Sequence, residues 1–344
     1  MRVAIVAGGT GGHIYPGIAI AQEIMRRDPK AELLFLGSRE GLEKELIPKA
    51  DYPIRYIWAR PLLRNFFVSL VGFFQALIIL KSFSPRALVS TGGYASLPAV
   101  LAASLLRIRI VLHEQNVLPG AVNRFCRKFA KKTFLSFERS VEYMPGEVVG
   151  NPVRREIVEA EREPARKKLN FKPDEKVVLV MGGSQGSKKI NQSVISALDR
   201  LPSNIKIVHL IGNRDFGWVE RYWGGKKINN YKALPYLYEM GDVLAASDLA
   251  VSRAGATAIA EFLVKGLPMV LVPFPFAAED HQRLNAAAVT DSGCAAVVED
   301  KDFTAENFLH HITNPGLNYA KMREASLKLA KPKAAERIVD FIYA

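Results

Sequence analysis

Short apolar runs that end in glycine or in a polar cluster recur along the chain, with helix-spaced stretches between them. The first run, Val3–Ala7, leads into Gly8-Gly9-Thr10-Gly11-Gly12-His13. A helical stretch is expected after Pro16, with Ile18, Ile24 and Met25 as its apolar face. Glu32–Leu36 then reads as a second strand closed by Gly37. Arg86–Ser90, before Thr91-Gly92-Gly93, and Arg109–Leu112, before His113-Glu114-Gln115-Asn116, read as two more. Strand, glycine turn, helix and strand in this order open a parallel α/β sheet. The polar clusters all follow strands, where open parallel sheets collect ligands.

The second half repeats the plan. Val177–Met181 runs into Gly182-Gly183-Ser184-Gln185-Gly186-Ser187, followed by a helix and the strand Ile205–Leu210. Leu249–Ser252, a helix over about 256–265 and the strand Met269–Val272 come later. The pattern predicts two doubly wound α/β domains, and the chain length of 344 residues favours two cores over one. The linker is expected near Asn151–Arg154, after a short strand Glu147–Val149. One segment departs from the alternation: Phe66–Leu80 is interrupted only by Ser69, Gly72 and Gln75, with Arg64 and Lys81 flanking it. It is shorter than the roughly 20 apolar residues of a bilayer span. Two readings stay open, a buried core helix or a helix with one face in lipid and Arg60, Arg64 and Lys81 at the headgroups.

Composition narrows the class without deciding the partner. With 49% hydrophobic and 24% charged residues the chain reads as an ordinary folded protein. Its two cysteines, Cys126 and Cys294, match no metal or redox spacing and suit a reducing cytoplasm. Val3–Ala7 is too short for a secretory core, and no lipidation motif is read at Phe341–Ala344. The net charge of +13 points to an anionic partner. The basic residues are scattered, with short clusters at Arg124–Lys132, Arg162–Lys168 and Lys226–Lys227. They accompany no helix-turn-helix, zinc finger or aromatic RNA-binding signature, so nucleic acid is not the expected partner.

The glycine loops carry the chemistry. Glycines at a strand-to-helix turn let backbone N–H groups approach an anion, aided by the helix N-terminus. The dinucleotide fingerprint fails at Ile14, and no acidic residue ends the second strand at Leu36-Gly37. Neither loop supplies the Gly-Lys-Ser/Thr of a phosphate loop, so nicotinamide and P-loop chemistry are both disfavoured. His13 is placed to take a proton from a hydroxyl nucleophile or, alternatively, to brace the turn. Glu114, beyond its strand, is expected at a cleft rim, where it orients a histidine, accepts a proton or is solvated. Ser252-Arg253-Ala254-Gly255-Ala256-Thr257 opens a helix carrying Glu261, a carboxylate suited to the two hydroxyls of a ribose. Pro273–Phe276 leads to Glu279-Asp280-His281-Gln282, polar residues suited to sugar hydroxyls or to solvent.

Together, GGTGGH at 8–13, HEQN at 113–116, GNPVR at 150–154, GGSQG at 182–186 and SRAGA at 252–256 resemble the MurG family of glycosyltransferases over essentially the whole chain. The resemblance implies a GT-B fold, two Rossmann-like doubly wound parallel-sheet domains with a cleft between them. It implies an N-terminal acceptor and membrane-docking domain, 1–152, joined by a C-terminal helix 333–344, and a UDP-GlcNAc-binding domain, 153–332. The implied reaction moves GlcNAc from UDP-GlcNAc to the C4 hydroxyl of the muramoyl residue of lipid I. It inverts configuration, needs no cofactor or metal, and gives lipid II and UDP at the cytoplasmic face of the inner membrane, where the enzyme is peripheral on an anionic surface. Ser184, Ala256 and Thr257 are implied at the donor diphosphate, Glu261 at the ribose, Leu237 at the uracil, and Arg154 and Gln282 as further donor contacts. Where some relatives carry two adjacent glutamines, this chain has His281-Gln282. Thr10, Gly11, Gly12 and Asn116 are implied near the GlcNAc or the acceptor. Gly8, Gly9, Gly92, Gly93 and Tyr94 are implied at the acceptor, and His13 as general base with Glu114 in support. A GT-B transferase with a different lipid acceptor is the alternative.

Overall fold

Thirteen strands form two parallel sheets in the computed structural model, which describes residues 1–60, 66–183, 185–223, 229–314 and 318–344. The first sheet holds β1 (Arg2–Val6), β2 (Glu32–Gly37), β3 (Ile54–Tyr56), β4 (Ala87–Ser90), β5 (Arg109–Glu114), β6 (Lys132–Leu135) and β7 (Glu147–Val148). The second holds β8 (Lys176–Met181), β9 (Ile205–Leu210), β10 (Tyr231–Leu234), β11 (Leu249–Ser252), β12 (Met269–Leu271) and β13 (Ala295–Val297). Their orders are β3-β2-β1-β4-β5-β6-β7 and β10-β9-β8-β11-β12-β13. The winding therefore reverses between β1 and β4 in one sheet and between β8 and β11 in the other. At such switch points the loops leaving neighbouring strands part and open a crevice.

The chain divides into one unit of Met1–Arg155 with Lys331–Ala344 and a second of Glu156–Ala330. In the first, β1 is apolar on both faces because helices cover both, so Val3, Ala4, Ile5 and Val6 are all fully buried. The helix Gly11–Arg27 presents Ile20 and Ile24 to one face, and the last helix, Ala334–Tyr343, adds Ile338, Val339 and Ile342 to the same core. Arg27 fastens that pair at its polar edge, 2.6 Å from Asp340 and donating to the Glu336 carbonyl at 3.1 Å. The second unit repeats the arrangement around β8, with Val178 and Val180 packed against Ile190 and Val194 of the helix Lys188–Ala197.

The helix after the first glycine loop starts at Gly11, before Pro16 and not beyond it as expected. Proline there forfeits one hydrogen bond, to the Gly12 carbonyl, and the burial of Ile14, Ile18 and Ile20 outweighs that loss. The strands β3, β6, β10 and β13 escape the sequence reading. Each is short, and Arg55, Lys132 and Lys232 interrupt three of them, as expected near sheet edges.

The apolar segment is a helix, Phe66–Phe83. It has two different faces, one packed in the core and one exposed. Ala76 and Leu80 are fully buried, while Phe67, Leu70, Val71, Phe74 and Ile78 form an exposed stripe at spacings of three and four. Phe67 is 80% exposed and Ile78 70%. Gly72 lies hard against the Trp58 carbonyl, where no side chain fits, and Gln75 accepts a hydrogen bond from the Trp58 amide at 2.8 Å. Among the described residues no helix is long and apolar enough to cross a membrane. Arg64 and the pair Lys226–Lys227 lie outside the described residues.

Candidate active site

Three neighbouring strands deliver the first site. The loop after β1 carries Gly8–Gly12 and His13, the loop after β4 carries Thr91–Tyr94, and β5 ends in His113-Glu114 before Gln115-Asn116. The first two loops interlock. Gly92 and Gly93 hold φ of +96° and +88°, a backbone region that favours glycine. A Cβ on Gly93 would collide with the Gly8 carbonyl, and one on Gly92 would lie 3.0 Å from the His13 ring. Tyr94 beside them is 54% exposed.

A buried carboxylate that the sequence reading missed shapes the Gly8-Gly9 turn. Glu43, fully buried, accepts from the Gly9 amide at 2.9 Å and from the Ser38 amide and hydroxyl at 2.8 and 2.6 Å. Three donors compensate its burial without a cation. The Gly9 N–H is therefore turned inward to Glu43 and away from any bound anion. Thr10 is the extended N-cap of the helix Gly11–Arg27 and makes no side-chain cap hydrogen bond. The dipole of that helix favours negative charge at Thr10–Gly12.

His13 is half-buried, with Nδ1 2.9 Å from both the Thr91 carbonyl and Gln115 Oε1. A carbonyl only accepts, so Nδ1 carries the proton in the neutral ring and the lone pair is on Nε2. That is the form a general base requires. Glu114, by contrast, is not at a rim. It is 1% exposed, and its carboxylate accepts from the Asn116 amide at 2.9 Å, the Gly120 amide at 3.1 Å and Asn123 Nδ2 at 2.9 Å. These donors occupy both oxygens, so Glu114 shapes the loop that presents Asn116, and the contact to His13 comes from Gln115 instead. Arg154 stacks its guanidinium 4.0 Å from the centre of the Tyr15 ring, on the same helix as His13.

In the second unit the loops after β8 and β11 form a matching pair. Gly182 and Gly186 close a turn with the Gly186 amide donating to the Gly183 carbonyl at 3.0 Å. Ser184 lies outside the described residues. Buried Arg253 clamps the turn to its neighbours: it donates to Ser187 Oγ at 2.7 Å and to the carbonyls of Val272 and Pro273 at 3.0 and 3.2 Å, and meets Asp300 at 2.6 Å. Asn285, fully buried, adds a bond to the Ala254 carbonyl at 3.2 Å. This frame holds Gly255 as the extended N-cap of the helix Ala256–Val264, which has no side-chain cap. Its first-turn amides, starting at Ala256 and Thr257, suit a phosphate. Glu261 is on the same helix and 5% exposed. Leu237 is half-buried in the irregular stretch after β10. Gln282 accepts from the Phe274 amide at 3.0 Å, tying the helix His281–Thr290 to the Pro273–Phe276 loop.

Two uncapped helix N-termini behind glycine turns, with a polarised histidine at one of them, suit transfer between phosphate-bearing molecules. Comparison with known proteins decides the family. Residues 3–135 match the glycosyltransferase family 28 N-terminal domain and residues 177–338 its C-terminal domain. The chain belongs to glycosyltransferase family 28.

The family 28 assignment extends to full length. A protein of Desulforamulus reducens named UDP-N-acetylglucosamine--N-acetylmuramyl-(pentapeptide) pyrophosphoryl-undecaprenol N-acetylglucosamine transferase is 37% identical, over 99% of this chain and 98% of its own. A protein of the same name from Thermoanaerobacter sp. strain X514 is 36% identical, over 99% of both chains. Among solved structures, Acinetobacter baumannii MurG superposes with a TM-score of 0.77 at 27% identity, covering 99% of each chain. The calicheamicin glycosyltransferase CalG4, at 15% identity, shares the fold with a TM-score of 0.70, covering 99% of this chain and 98% of its own. The resemblance carried by the five motifs therefore holds over the whole family 28 chain, and the fold is GT-B.

Proposed function

We propose that the protein is an inverting N-acetylglucosaminyltransferase that moves GlcNAc from UDP-GlcNAc to the muramoyl C4 hydroxyl of lipid I, giving lipid II and UDP in peptidoglycan synthesis. Full-length similarity to relatives bearing that transferase name carries this reading. The UDP diphosphate lies against the helix N-terminus at Ala256 and Thr257 and the turn Gly182–Gly186, with Glu261 on the ribose and the stretch at Leu237 reading the uracil. Arg154, Gln282 and Asn116 complete the donor side. The acceptor meets the loops Gly8–Gly12 and Gly92–Tyr94. His13 Nε2 takes the C4 hydroxyl proton as that oxygen bonds to the anomeric carbon, and the bond from that carbon to the UDP oxygen breaks. Backbone amides at the helix end stabilise the leaving charge. UDP release assayed with UDP-GlcNAc and either a lipid I analogue or diacylglycerol tests the proposal. Release is expected only with the lipid I analogue; release with diacylglycerol alone overturns the acceptor in favour of another lipid.

The exposed stripe of the helix Phe66–Phe83 supports peripheral docking on an anionic membrane, since five large apolar side chains on one helical face favour an interfacial position. Lys81 is exposed beside the stripe, whereas Arg60 is already paired with Glu40. Replacing Phe67, Phe74 and Ile78 together by Ser is expected to abolish flotation with vesicles containing anionic phospholipid. Flotation equal to that of the parent protein would exclude this face as the anchor.

A further inference from the structure

The donor and acceptor atoms around His13 continue into a directed chain. His113 is fully buried, and its Nε2 lies 3.0 Å from the Gly150 carbonyl, so Nε2 must carry the proton. Its Nδ1 is then an acceptor, and Gln115 Nε2 donates to it at 3.1 Å and to the His113 carbonyl at 3.3 Å. The other end of the same amide, Oε1, accepts from His13 Nδ1 at 2.9 Å. Reversing the Gln115 amide would set its NH2 against the His13 N–H and its oxygen against the His113 carbonyl. Only one orientation satisfies every group.

We infer that Gln115 is a positioning residue: with His113 as its anchor on the Gly150 carbonyl, it holds the His13 ring with its lone pair on Nε2 and supplies a second acceptor to the Nδ1 proton. The inference rests on His13 as the base, and it assigns the orientation of that base to a side chain that meets no substrate. The effect is greatest in the transition state. A proton arriving at Nε2 makes the ring cationic, and hydrogen bonds to a charged donor are stronger than those to a neutral one. The Thr91 carbonyl and Gln115 Oε1 then share the charge. The anchor itself does not titrate in the working range, because burial lowers the His113 pKa to about 4. Of the other charged groups nearby, Glu114 is turned to Asn116, Gly120 and Asn123, and Arg154 is stacked on Tyr15.

Two experiments test the assignment. In long-range 1H–15N spectra of the histidine-labelled full chain, taken above the imidazole titration range, His13 is expected as the Nδ1–H tautomer and His113 as the Nε2–H tautomer. The opposite tautomer at either ring overturns the relay without any variant. Gln115→Met, close in size but neither donor nor NH acceptor, is expected to lower kcat about 10- to 100-fold, the worth of one hydrogen bond to a charged group. KM for UDP-GlcNAc should stay within about twofold, so the loss falls on kcat and not on donor binding. Unchanged kcat in Gln115→Met, or a rise in KM that accounts for the whole loss, overturns the role of Gln115. Separately, full activity in His13→Ala would remove the base reading while leaving the tautomer result standing.

Discussion

His13→Ala is expected to lower kcat for UDP release by roughly a hundred- to ten-thousandfold while KM for UDP-GlcNAc changes little. Removal of a positioned general base costs this much when the nucleophile is a neutral sugar hydroxyl, because the proton must otherwise leave to water in the transition state. The donor contacts proposed here lie mainly in the second unit, so ground-state binding of UDP-GlcNAc should survive the change. His13→Gln makes a useful companion, since it fills the same space beside Gly92 and the Thr91 carbonyl without offering a basic nitrogen. Near-parental turnover in either variant would transfer the base role to another group. Glu114 is a poor heir, with both carboxylate oxygens already engaged by Asn116, Gly120 and Asn123.

Gly93→Ala is expected to destabilise the first unit by about 2–5 kcal/mol. A side chain at φ of +88° costs about 1–2 kcal/mol by itself. The added Cβ also runs into the Gly8 carbonyl, and relieving such overpacking costs a further 1–3 kcal/mol or so. Separation of the loops after β1 and β4 is the only relief, and it would draw Thr91 away from His13. Thermal unfolding followed by circular dichroism should fall by roughly 5–15 °C, and activity should drop at temperatures where the variant remains folded. A melting temperature within 2 °C or so of the parent would mean that the two loops do not interlock as described. Gly120→Ala is the matched control: its φ is −61° and no atom lies within 4 Å of the added Cβ, so it should be close to neutral.

Much of the fold was legible because its signals are local. The central strands β1, β4, β5, β8, β11 and β12 are buried on both faces and so read as continuous apolar runs ending in glycine or polar clusters. The strands β3, β6 and β10 were hidden by the charged residues among their apolar ones, and β13 by its length of three residues. The apolar helix Phe66–Phe83 shows a different limit. Its composition is apolar nearly all round, so no periodicity separates an inner from an outer face. Only the packing of Ala76 and Leu80, and of Gly72 against Trp58, reveals which side is left exposed.

The site divides in the same way. By itself the sequence determined that glycine turns follow strands in both halves, that His13 stands at the end of one and Glu261 on the helix beyond another, and that five motifs in order resemble one transferase family. These are one-dimensional facts, fixed by strand-to-helix geometry and by spacing. Tertiary structure decided which polar groups meet. Glu43, remote in sequence from the Gly8-Gly9 turn, proved to hold its amide. Glu114 proved to be a buried loop brace, and Gln115 to be the partner of His13 across 102 positions of chain. The physical reason is that a buried hydrogen bond depends on donor and acceptor directions after β1, β4 and β5 have been laid side by side. No residue pattern along the chain encodes that direction.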